Sequence, residues 1–114
     1  MAHKRVYMSG PITGNEDYID DFRLAEELAV TRFPDAVIVN PALMGYILTT
    51  LEGEIDHGEY MRYDKALLSV CDTILMLPGF GNSDGALEEM AFALANNISI
   101  CYLHEDGEIE MEGE

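Results

Sequence analysis

The chain has 114 residues, 48% of them hydrophobic, with 22 acids against six lysines and arginines and a net charge of −16. One domain fits this length, and the apolar content excludes disorder over most of it. The charge excludes nucleic acid as a partner, since phosphate needs basic surface. No apolar run reaches membrane length, and no repeat is seen. Cys71 and Cys101 show neither metal-ligand spacing nor a disulfide framework, so free thiols and a cytoplasmic setting are expected.

Arg5 to Ser9 reads as a short strand, broken by Gly10-Pro11. The loop Ser9-Gly-Pro-Ile-Thr-Gly14 then leads to a helix. It has neither the dinucleotide spacing nor a phosphate-binding Gly-Lys-Ser/Thr. Its glycines still allow a ligand close to the backbone at Ser9, Gly10 and Ile12. Asn15 is the expected N-cap of a helix to about Arg32. Phe22, Ala25, Leu28, Ala29 and Phe33 form its apolar stripe. Pro34 stops it, and Ala36 to Val39 is expected as a second buried strand.

Residues 42–51 read as a short helix or packed loop, and 51–58 as a loop. A connection that long is a candidate lid or partner surface. His57 reads as an exposed loop histidine rather than a base. From Tyr60 to Cys71 the spacing predicts a helix with positions 60, 64, 67, 68 and 71 on one face. Four of these are Tyr, Leu, Leu and Cys, and the fifth is Asp64. A carboxylate inside an apolar stripe is costly unless paired or used, by a neighbour such as Arg5 or by chemistry.

Thr73 to Leu77 is apolar without alternation, the pattern of a strand covered on both faces. Pro78 ends it, and a loop with Gly79, Gly81 and Gly85 follows. Ser83 is a good N-cap for a helix from about Asp84, with Leu87, Met90, Ala91 and Leu94 as its stripe. Strand end, glycine loop and helix N-terminus together make the crevice where open α/β sheets bind ligands. Glu88 lies on the polar face of this helix. Glu89 lies to one side, between the small Ala86 and Ala93, which leave room for a ligand. Ile98 to Leu103 is a last strand. His104 to Glu114 is acidic and reads as a frayed tail, with an edge strand through Ile109 and Met111 as the alternative. Residues 1–104 are thus one α/β domain and 105–114 an acidic tail. Strands alternating with helices predict a small flavodoxin-like (Rossmann-like) parallel sheet of four to five strands flanked by helices.

Three features carry a resemblance over roughly residues 5–104. They are Tyr7 with the glycine loop through Gly14, Asp64 eight residues before Asp72, and Gly85-x-x-x-Glu89-x-x-x-Ala93. With these the chain resembles the nucleoside 2-deoxyribosyltransferases and the related 2'-deoxynucleoside 5'-phosphate N-hydrolases, especially a small phage and bacterial branch. The resemblance implies cleavage or transfer at the N-glycosidic bond of a nucleoside or nucleotide. It makes Glu89 the nucleophile and Asp64 its acid partner, with Tyr7, Ser9, Gly10, Ile12, Gly79, Ser83 and Gly85 shaping the substrate pocket. Such chemistry stabilises an oxocarbenium-like transition state and needs no metal or organic cofactor. It also implies a homodimer or higher homo-oligomer. The hydrolases' aromatic hydroxyl on the first helix is matched by Phe22, and a phosphate-holding serine by Pro11. Those two positions favour an alternative, a non-catalytic protein that sequesters a nucleotide in the same pocket.

Overall fold

A computed structural model describes residues 3–43 and 57–112. In chain order they form β1 (Arg5–Ser9), α1 (Tyr18–Arg32), β2 (Val37–Val39), α2 (His57–Leu68), β3 (Thr73–Met76), a 3₁₀ turn (Phe80–Asn82), α3 (Asp84–Ala95), β4 (Ser99–Leu103) and β5 (Ile109–Met111). One five-stranded sheet runs in the order β2-β1-β3-β4-β5. β2, β1, β3 and β4 are parallel, and β5 is antiparallel to β4. The flavodoxin-like expectation holds, with its topological switch between β1 and β3.

Strand alternation divides the core into two layers. Val6 and Met8 of β1 pack with Phe22, Ala25 and Ala29 of α1. Tyr7 points the other way, toward Leu68 of α2 and Ala86 and Ala93 of α3. All four residues of β3 are buried, which accounts for its unbroken apolar run. No helix among the described residues is long and apolar enough to cross a membrane.

Several local expectations are corrected. α1 starts at Tyr18, not directly after Asn15, and Asn15 does not cap it. Asn15 instead braces the glycine loop: its Oδ1 accepts from the Asp17 N–H at 3.1 Å, and its Nδ2 donates to the Pro11 carbonyl at 3.1 Å. β2 is an edge strand, not a buried one, because β1 pairs it on one side only; Val37 is 62% exposed. α2 begins at His57, ahead of Tyr60, and ends at Leu68, with Cys71 buried in the turn beyond. The expected lid lies largely outside the described residues, as does the side chain of His57.

The acidic end is also ordered differently from a frayed tail. Gly107 takes a left-handed conformation, φ 91°, and turns the chain back on β4. Ile109 and Met111 then pack against the α1-side core, while His104 and Glu110 approach to 2.8 Å outside. Two apolar side chains at strand spacing therefore outweigh the local charge.

On α3 the buried face is Ala86, Glu89 and Ala93, one position back from the expected stripe. Leu87 and Leu94 are exposed. Small side chains let the helix backbone approach the sheet, and this overrides the larger apolar residues next to them. The helix start is as expected: Ser83 Oγ accepts from the Ala86 N–H at 3.2 Å.

Gly10 sits where β1 and β3 diverge. A Cβ there would lie 2.8 Å from the Cβ of Leu77, an atom fixed to the backbone. We therefore expect Gly10→Ala to cost about 1–3 kcal/mol through overpacking. Urea denaturation tests this; an unchanged midpoint would show that the two strand ends can separate freely.

Candidate active site

β1 delivers two hydroxyls to one face of the sheet because Tyr7 and Ser9 are two residues apart. α3 delivers one carboxylate to the same face, because Glu89 lies between Ala86 and Ala93 on its inner stripe. Tyr7 Oη donates to Glu89 Oε2 at 2.8 Å, and Ser9 Oγ donates to Oε1 at 2.6 Å. Tyr7 is fully buried, Ser9 nearly so, and Glu89 is only 5% exposed. No buried side-chain polar atom among the described residues lacks a partner.

α2 brings Asp64 to this carboxylate. Burial, then the Asp64 charge, push Glu89 up to about 8, and a hydrogen bond with Asp64 adds to the rise; the bonds from Ser9 and Tyr7 oppose it. The two carboxyls therefore share one proton at neutral pH and titrate as a pair. Tyr7 is pushed well above the ordinary phenol range by burial and then by Glu89 and Asp64, so it remains a donor. Burial also raises the thiols, Cys71 to about 11 and Cys101 to about 12. Neither cysteine is an ionised nucleophile at neutral pH. No group of three or more metal-ligating side chains gathers among the described residues.

The pair opens into a cavity of about 690 Å³ at the carboxyl ends of β1 and β3. The β1–α1 loop supplies Gly10, Ile12 and Thr13, and α1 supplies Tyr18. α2 adds Tyr60, Met61 and Asp64. The turn into α3 and its first residues add Asn82, Ser83, Asp84 and Gly85. Six of the residues singled out from the sequence thus meet in one wall: Gly10, Ile12, Asp64, Ser83, Gly85 and Glu89. Tyr7 and Ser9 stand behind Glu89 and hold it, rather than facing the cavity. Gly79 is not in the wall; its left-handed φ of 85° makes the turn after β3, close to Pro11. Asp72 lies at the far end of the sheet, where its carboxylate accepts the N–H groups of Lys4 and Arg5 at 2.9 and 3.4 Å.

Sequence reasoning missed Tyr18 and Tyr60. Tyr60 was detectable, since it precedes Asp64 by four residues on the same helix face. Tyr18 lies one turn before Phe22 and lines the cavity from α1. Phe22 itself is buried in the α1-side core.

The raised Glu89 has a signature in stability. Its folded value near 8 exceeds the ordinary 4.5. The unfolded chain therefore ionises first, and the group's contribution is complete below about pH 4.5 and lost as pH rises to about 8. The stability of wild type minus that of Glu89→Gln should fall across that window and be flat outside it. Chemical denaturation at stepped pH measures this, and a difference that rises with pH would contradict the assignment.

The sequence matches no curated protein and no solved structure. Residues 4–102 match a family described as "Domain of unknown function (DUF4406)". With strands β1 to β3, the Glu89–Asp64 pair and the cavity above them inside the matched stretch, the chain belongs to the DUF4406 family.

Proposed function

We propose that this protein cleaves or transfers at the N-glycosidic bond of a nucleoside or nucleotide, with Glu89 as nucleophile and Asp64 as acid. The observation that carries this reading is the Glu89 carboxylate, buried at the closed end of the cavity and held through both oxygens by Tyr7 and Ser9. The sequence resemblance to the deoxyribosyltransferase superfamily points to the same two residues.

The shared proton fits the chemistry. In the reactive arrangement it sits on Asp64, and Glu89 is ionised with both hydroxyls bonded to it. Glu89 attacks C1' of the sugar and forms an ester. The C1'–N bond breaks, its electron pair goes to the base, and Asp64 gives its proton to the base nitrogen. Water then releases the sugar in hydrolysis, or the nitrogen of a second base takes it in transfer. Tyr7 and Ser9 fix the carboxylate so that little reorganisation is needed. A homodimer or higher oligomer belongs to this reading and is measurable by sedimentation.

In the free site burial and the Asp64 charge favour the neutral form of Glu89. A neutral carboxyl suits binding better than attack, which favours a second reading, a nucleotide-sequestering protein without turnover.

Chromatographic detection of free base, with and without an acceptor base, separates these readings. Glu89→Ala should abolish base release. Activity should fall as pH rises through about 8, where the pair loses its proton. Asp64→Asn should lower kcat/KM by about 10²–10⁴ and remove that falling limb. Intact nucleotide, bound but never cleaved, would replace the enzyme by the binder.

A further inference from the structure

We propose that the site selects an uncharged nucleoside and rejects its 5'-phosphate; this rests on the N-glycosidic reading above. The cavity presents three carboxyl groups, Asp64, Asp84 and Glu89, and among the described residues no lysine or arginine lines it. The chain has six such residues, and each lies elsewhere. Lys4 precedes β1 and Arg5 begins it, about 13 Å of strand from Ser9, and the Arg5 guanidinium donates to the Val70 carbonyl. Arg23 pairs with Asp20, and Arg32 lies over the Phe33 ring. Lys65 pairs with Glu88 at 2.7 Å, and Arg62 is exposed on α2. Residues 44–56 contain no lysine or arginine in the sequence.

The remaining way to hold a phosphate is the N-terminus of α3, where backbone N–H groups and the helix dipole favour an anion. Two features of this chain already occupy it. Ser83 Oγ takes the Ala86 N–H, and the Asp84 carboxylate stands in the first turn. An approaching phosphate would meet this negative charge with no lysine or arginine in the described wall to offset it. A free 5'-hydroxyl has a proton to donate to such a carboxylate, whereas a phosphate dianion has none. The same acidic wall accepts the hydroxyls of a sugar and excludes its phosphate ester.

The test compares 2'-deoxyadenosine and thymidine with their 5'-monophosphates on the wild-type protein, by base release and by calorimetric binding. We expect kcat/KM for the nucleosides to exceed that for the monophosphates by about 100-fold or more. Asp84→Asn should narrow this ratio about tenfold by relieving the monophosphate. Monophosphates cleaved as well as nucleosides would overturn the selectivity while leaving the glycosidic chemistry intact. Without cleavage of either, the catalytic reading fails and binding decides: nucleoside bound in preference upholds the selectivity. Equal or tighter monophosphate binding, or no binding of either compound, overturns it.

Discussion

The bonds from Tyr7 and Ser9 to Glu89 tie the centre of the sheet to the helix that covers it. A carboxyl only 5% exposed would be strongly unfavourable without partners. Here it has hydroxyl donors on both oxygens and a second carboxyl beside it. The cost of burial appears as the rise to about 8. Much of the surrounding architecture follows from this constraint. The face of α3 must be small so that the Glu89 backbone can approach, hence Ala86 and Ala93. Residues 7 and 9 of β1 must both carry hydroxyls, because alternation sends them, and not residues 6 and 8, toward α3. Asp64 must project from α2 toward the same point, which explains a carboxylate among Tyr60, Leu68 and Cys71.

The site occupies the topological switch of the sheet. β1 and β3 are neighbours, and their connections leave toward opposite faces, α1 on one side and α3 on the other. The space between the departing chains is the cavity. Gly10 is needed there for the close approach of Leu77. The acidity of the chain then sets the electrostatics. Its few cations are held at the far end of β1, on outer helix surfaces or in ion pairs, so the cavity stays acidic.

The parallel sheet was legible because β1 and β3 are short, apolar and bounded by Gly-Pro or Pro-Gly breaks. The Asp64 anomaly was legible because helical spacing exposes a charge in an apolar stripe. The inner face of α3 was not, since hydropathy favours Leu87 and Leu94 while close packing selects Ala86 and Ala93. Nor was the position of Tyr7 and Ser9 behind Glu89 rather than in the cavity wall. That depends on how a strand and a distant helix are registered, which no local pattern encodes. β5 was underestimated because the charge of its neighbours masks Ile109 and Met111, whose burial appears only once β4 is beside them. Tyr18 escaped notice because its value comes from the turn made by the loop before it.

The most direct test of Glu89 as the nucleophile is to trap its ester. The protein would be incubated with 2'-deoxyadenosine, quenched in acid, digested and mapped by mass spectrometry. The mechanism predicts a deoxyribosyl mass increment on the peptide carrying Glu89, absent from Glu89→Gln. Free base released with the increment on another residue, or with full activity retained in Glu89→Gln, would contradict it.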